Sequence, residues 1–340
     1  MNKKVKVGVI GVGRIGKLHA ENIARRLGAY AELVAVADVF LNDSIVEWAN
    51  SLGVTKVYDD YKKIIEDPAI DAVIICSSTN THSIISVEAA NAGKHIFCEK
   101  PIDYDLEKIK MALDAVEKAG VKYQVGFNRR FDHNFRKVRE MVEAGKVGNI
   151  EIVKVTARDP EPPSAEYARV SGGMFLDMSI HDFDMARYLS GSEVEEVYTN
   201  AAVLVDPAIG EAGDVDTALI SLKFKNGSIG VIDNSRRAAY GYDQRVEVFG
   251  SKGSAEASND TPTTVVLSTE EGVSSDKPKY FFLERYMDSF ADEMKEFFEA
   301  IINDKITPVV GNDGLQPVLI GLAAKKSFAE GRPVKISELL

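Results

Sequence analysis

Short apolar runs alternate with amphipathic stretches over the first 125 residues. Residues 5–10, 33–37, 72–76, 95–98 and 122–125 read as strands, and 17–27, 45–52, 83–92 and 106–119 as helices. Strand–helix alternation of this kind predicts a parallel sheet with helical crossovers, hence a doubly wound α/β domain. Near-continuous apolar strands such as 72–76 are expected where both sheet faces are covered. From Gly126 the pattern changes. A helix is expected over 134–144, followed by strand-like runs at 150–156, 194–203, 217–224, 228–234 and 245–250, many of them alternating. Asn226-Gly227 between two such runs is a hairpin signal. This region reads as α+β with a mostly antiparallel sheet. The Pro- and Gly-rich stretch 159–173 is expected to be irregular, and helices over 288–303 and 315–329 close the chain. The expected division is 1–125 and 126–340, with the late helix packing back on the first domain.

Composition narrows the class. A chain of 340 residues fits two domains at roughly 150 residues each. With 45% hydrophobic and 27% charged residues it can bury a sizeable core. The net charge of −11 supplies no basic field for nucleic acid or an anionic membrane. No apolar run approaches the roughly 18 residues of a spanning helix. Met1-Asn2-Lys3-Lys4 leads straight into a strand pattern, without the apolar core of a signal peptide. Cys76 and Cys98, the two cysteines, lack CxxC spacing. The expectation is a cytoplasmic, reduced protein.

The candidate chemistry begins at Gly11-Val12-Gly13-Arg14-Ile15-Gly16, a G-x-G-x-x-G between the first strand and the first helix. The first Gly permits a tight turn, the second lets backbone approach a pyrophosphate, and the third lets the helix pack on the strand. Free N–H groups of the helix start, at Arg14 and Ile15, suit phosphate. Asp38 ends the second strand, where an acid accepts both ribose hydroxyls of NAD and repels the 2′-phosphate of NADP. The pattern predicts a Rossmann domain that binds NAD; a Gly-rich turn with no ligand is the plain alternative. After the next strand, Ser77, Ser78, Asn80 and His82 suit a ligand crevice, although such residues also cap helices. Glu99-Lys100-Pro101 lies at the same sheet edge. Lys100 there can donate to a substrate oxygen; a surface turn is the alternative, and a cis Lys100–Pro101 bond would fix its direction.

Asp177 and His181, four apart, would share one helical face. A carboxylate neighbour favours the imidazolium and fixes its tautomer. Such a pair takes a proton from an alcohol, or serves only as a structural contact at a helix start. Asp182 and Asp184 lie on other faces, so a metal site is not expected. Arg129 or Arg130 would bind substrate oxygens or form an interdomain salt bridge. Tyr242, entering a strand, would wall the site.

The stretches VIGVGRIGKLHAENI, CSSTNTH, FCEKP, VGFNRRFD, SGGMFLDMSIHDFDMARYL and YGYDQRVEVFGSKG span the chain. In that order they resemble the oxidoreductase family named for glucose–fructose oxidoreductase and inositol dehydrogenase. RDPEPPSAEY with the SGGMF stretch is most similar to its bacterial inositol 2-dehydrogenase branch. The resemblance implies that Lys100, Asp177 and His181 are catalytic, with His181 the base, Asp177 its orienting partner and Lys100 a donor to the reacting oxygen. It makes Arg129, Arg158 and Tyr242 substrate contacts and adds Glu99 to the cofactor residues. Asn128 stands where many inositol dehydrogenases have Met, and Ser78-Thr79-Asn80 where others have aromatic and small residues, so the inositol isomer stays open. The expected activity is NAD-dependent oxidation of a small polyol, myo-inositol to its 2-keto product, by a homodimer or homotetramer. Scyllo-inositol or an aldose is the alternative substrate. A noncatalytic NAD(H) sensor and an Asp-rich metal hydrolase are the rival classes.

Overall fold

A computed structural model of the chain describes residues 4–340. They divide into two compact units. One runs to Asn128 and takes in Asp288–Leu315; the other holds Arg129–Met287 and Gln316–Leu340.

The first unit alternates β1 (Val5–Ile10), α1 (Arg14–Arg25), β2 (Ala31–Ala37), α2 (Asp43–Ser51), β3 (Lys56–Tyr58), α3 (Lys62–Ile65), β4 (Ala72–Ile75), α4 (Thr79–Asn91), β5 (His95–Glu99), α5 (Leu106–Ala119) and β6 (Tyr123–Gly126). All six strands are parallel, in the order β3-β2-β1-β4-β5-β6. The doubly wound expectation holds. The order reverses between β1 and β4, and the crevice for a ligand opens outside the carboxyl ends of the strands there. Every side chain of β4 is buried, which is why its sequence shows no alternation. Asn42 and Asp105 start α2 and α5 by accepting from Ile45 N and Glu107 N. Two expectations need correction. β3 and α3 were not foreseen, because three half-buried residues and one helical turn carry no periodicity. Helices α1 and α4 begin three and four residues earlier than the expected 17 and 83, since the polar turns themselves open the helices.

The second unit begins with α6 (His133–Glu143), capped by Asp132, which accepts from Asn134 N and Phe135 N at 3.1 Å each. Then follow β7 (Ile150–Arg158), α7 (Ala165–Val170), a single π-helical turn (Met174–Met178), α8 (Ile180–Ser190), β8 (Val194–Ala202), α9 (Pro207–Glu211), β9 (Thr217–Phe224), β10 (Ile229–Ser235), β11 (Asp243–Gly250) and β12 (Gly253–Ala257). The hairpin β13 (Val266–Thr269) and β14 (Gly272–Ser275) leads to α10 (Phe282–Arg285). The chain ends with α11 (Met287–Ile302), α12 (Gly311–Glu330) and β15 (Val334–Lys335). The sheet order is β12-β11-β7-β10-β9-β8-β15. Its neighbours are antiparallel except β7 and β10, which run parallel with Ile152 opposite Ile229. The mostly antiparallel expectation therefore holds. Within 159–173, expected to be irregular, α7 forms because Ser164 accepts from Tyr167 N at 3.2 Å and supplies the missing cap.

The core of the first unit gathers Val5, Val7 and Val9 of β1, Ile74 of β4 and Phe97 of β5 around Met294, Phe297 and Phe298 of α11. Phe97 and Phe297 meet edge to face at 6.0 Å, and each such ring is worth roughly 1.5–3 kcal/mol on burial.

Candidate active site

The Gly-rich turn follows β1. Gly11 has φ +85°, and a Cβ there would lie 2.6 Å from Ser77 N. A Cβ on Gly16 would lie 1.9 Å from Gly11 O. Both glycines are thus required by close backbone approach. A Cβ on Gly13 would meet no atom within 4 Å, so at this point the turn faces open space. Helix α1 starts at Arg14 with no side-chain cap and no acid in its first turn, leaving its N–H groups available to an anion. Asp38 follows β2, with Oδ2 accepting from Val12 N at 2.8 Å and Oδ1 from Phe40 N at 2.8 Å. Each oxygen keeps a lone pair for a ribose hydroxyl. The open position, uncapped helix and fixed acid fit a dinucleotide.

Beyond β4, Ser77 Oγ lies 2.7 Å from Thr81 Oγ1, while Ser78 and Asn80 are exposed. Ser78 occupies the cap position of α4 without a side-chain cap bond, so capping does not explain its hydroxyl. His82 was expected among the cofactor contacts. It is buried, with Nδ1 2.8 Å from Pro101 O and Nε2 2.9 Å from Ser77 O. Lys100 is half-buried at the end of β5, and the Lys100–Pro101 bond is cis.

Glu99 precedes Lys100, and His19 Nε2 of α1 lies 2.8 Å from its Oε1. Glu293 of α11 places Oε1 3.9 Å from the same ring nitrogen. Among the described residues, these three bring potential metal-ligand atoms within 4.8 Å of one another; the shortest contact is a hydrogen bond. Neither Glu293 oxygen has a hydrogen-bond partner. Burial first, and the charge of Glu99 second, push its carboxyl well above the usual range. His19 and Glu293 carry no motif signal; only the fold brings them to Glu99.

In the second unit, Asp177 sits in the π-helical turn and His181 in the first turn of α8. The expected spacing on one regular helix is therefore broken between them. Asp177 accepts from Tyr167 Oη at 3.2 Å and from Arg236 Nη2 at 3.5 Å. Arg236, buried and also donating to Asp159 at 3.0 Å, went unrecognised in the sequence. Arg129 donates to Asp182 at 2.5 Å and to Tyr242 Oη at 3.5 Å. Both partners belong to the second unit, so these bonds brace that unit rather than form the interdomain salt bridge that was one of the two alternatives. Asn234 donates to the other Asp182 oxygen at 2.8 Å and accepts from Ser179 at 2.6 Å. Burial pushes the Asp182 carboxyl up, and Arg129 opposes it. Asp184 is held by Arg130 at 2.6 and 2.9 Å. Guanidinium pairing thus occupies Asp182 and Asp184, two of the four side chains, with Asp177 and His181, that a metal reading would use. Arg158 grips Asp233 through two nitrogens and reaches Tyr240 Oη at 3.0 Å. Burial first, with Tyr286 and acidic neighbours adding to it against the charge of Arg129, pushes the Tyr242 phenol well up.

A doubly wound unit with this turn and acid, joined to a mixed-sheet α+β unit, defines a dinucleotide-dependent oxidoreductase. The chain belongs to the GFO/IDH/MocA family: residues 5–127 match the oxidoreductase family's NAD-binding Rossmann fold, and 135–256 its C-terminal domain. It is 52% identical over 99% of its length to a myo-inositol 2-dehydrogenase of Thermotoga maritima, covering 100% of that protein. It is 44% identical to an inositol 2-dehydrogenase of Rhizobium meliloti, covering 98% of this chain and 99% of the other. A crystal structure of scyllo-inositol dehydrogenase from Lactobacillus casei, with bound NAD(H) and scyllo-inositol, superposes with a TM-score of 0.92 at 32% identity, covering 98% and 100% of the two chains. Among the described residues no helix is long and apolar enough to cross a membrane.

Proposed function

We propose that this protein is an NAD-dependent cyclitol dehydrogenase that oxidises myo-inositol to its 2-keto product. The full-length match to a myo-inositol 2-dehydrogenase at 52% identity carries the reading. Gly11, Gly13, Gly16 and the N–H groups of Arg14 and Ile15 hold the pyrophosphate, and Asp38 the adenosine ribose. Ser77, Ser78, Asn80 and Glu99 line the rest of the cofactor. When bound, NAD accepts the hydride that leaves the ring carbon. Neutral His181 takes the hydroxyl proton, Asp177 holds His181, and Lys100 donates to the reacting oxygen. General-base help of this kind supplies roughly 10²–10⁴-fold. Arg129, Arg158 and Tyr242 contact or frame the other hydroxyls. Scyllo-inositol is the second reading, favoured by the Lactobacillus casei likeness.

The test is a panel of myo-inositol, scyllo-inositol and aldoses with NAD or NADP, read as absorbance of the reduced cofactor. Fastest turnover of myo-inositol with NAD is expected. Equal use of NADP would overturn the role of Asp38, and turnover of no cyclitol would overturn the substrate class. A cytoplasmic place suits a protein with two unpaired cysteines that draws on NAD. One face of the second sheet exposes Leu219, Ile229 and Phe249. This face suits a second copy of the chain, as dimer or tetramer; light scattering showing a monomer would remove that proposal.

A further inference from the structure

Lys100 is preceded and followed by residues held by buried imidazoles. Glu99 meets His19, as described. Pro101 meets His82, whose two ring nitrogens both face backbone carbonyls, Pro101 O at 2.8 Å and Ser77 O at 2.9 Å. A carbonyl only accepts, so both nitrogens must donate, and the ring that satisfies both is the imidazolium. Burial opposes that charge. The Cys98 sulfur and the two carbonyls outweigh it and push the ring up to about 9. His82 is 2% exposed. Solvent exposure therefore does little to explain a charged side chain.

We propose that His82 is a positioning residue for Lys100, tying the segment that carries it to the loop after β4. The proposal rests on Lys100 acting at the substrate oxygen. Both ends of the tie are backbone atoms, so the ring fixes main-chain position and not merely a side chain. Its two partners differ in what else holds them. The Ser77 loop has a second tie through Thr81, at 2.7 Å. Further along, Ser83 donates to Asp103 at 2.6 Å and keeps the 101–105 segment on α4. The fold thus retains anchors on either side when His82 is replaced. What loses its hold is the carbonyl directly after Lys100. Displacement of a reacting group by about 1 Å costs on the order of 10²-fold in rate.

The experiment is a double-mutant cycle of His82→Phe with Lys100→Ala, with NAD affinity, turnover of myo-inositol and melting temperature measured for each protein. Phe fills the space of the ring and removes both bonds. In the native background, kcat should fall about tenfold to a hundredfold while NAD affinity stays within about threefold. In the Lys100→Ala background the same substitution should change kcat by less than about twofold, since the two residues act as a unit. His82→Gln, which keeps an N–H donor, should recover part of the loss. Equal fold-losses in both backgrounds, or a loss confined to NAD affinity, would overturn the proposal. If Lys100→Ala itself leaves kcat unchanged, the catalytic reading fails instead. Should His82→Phe not fold, the cycle runs with His82→Gln, and additivity is again the overturning result.

Discussion

In the proposed function the proton of the substrate hydroxyl goes to neutral His181, so that residue carries the first test. His181→Ala should lower kcat by about 10²-fold or more and flatten the acidic limb of the pH–rate profile. Asp177 is held from two sides, by Tyr167 and by Arg236. Asp177→Asn keeps its shape and loses its charge, so it should cost less than removal of the base. The double substitution should be little worse than His181→Ala alone. The measurement is initial NADH formation from myo-inositol across pH for the four proteins. A near-native rate with an unchanged limb in His181→Ala would leave the pair as a structural contact at a helix start. At this scale the sequence was readable where a motif spoke. Arg236 was silent because its partner, Asp177, lies 59 positions away in the chain.

The Gly-rich turn separates folding from binding at the scale of one element. Gly16→Ala places a methyl carbon 1.9 Å from a backbone oxygen. It should destabilise by roughly 1–3 kcal/mol or more, as overpacking does, seen as a lower melting temperature without any ligand. Gly13→Ala meets no atom within 4 Å. Its stability should stay within about 0.5 kcal/mol of native, while NAD affinity falls because the methyl group enters the ligand's space. Equal affinity for NAD in Gly13→Ala would mean that the turn holds no pyrophosphate. The same turn shows why elements were unequally legible. Helix α5 and strand β9 have a cap or a clean alternation, and both appear at the boundaries expected. Strand β3 and helix α3 are too short to repeat anything. Helix α7 lay hidden between Pro163 and Gly172, and only the bond at Ser164 reveals it. The π-helical turn at Met174–Met178 cannot be told from an α-helix by residue type, so the change of helical geometry between Asp177 and His181 is not legible in the sequence.

For the molecule as a whole, the consequence of the His19–Glu99–Glu293 cluster is a pH-dependent folding stability. Burial, and then the charge of Glu99, raise the Glu293 carboxyl well above its ordinary 4.5. The unfolded chain loses that proton near the ordinary value, while the folded chain keeps it to higher pH. Between the two, the folded state binds one more proton, so stability falls as pH rises, by at most about 1.4 kcal/mol per pH unit. Below the unfolded value both states are protonated and the term vanishes. Glu293→Gln is neutral in both states and removes the slope. Whatever its absolute effect, its melting temperature relative to the native protein should therefore rise with pH above the unfolded value, until the folded carboxyl itself ionises. Glu99→Gln removes the second cause of the shift, so its decline in stability should level off at a lower pH than in the native protein. Calorimetry at four pH values on the three proteins reads this directly. Parallel melting curves for native and Glu293→Gln would mean that Glu293 is ionised in the fold, with a counter-charge beside it.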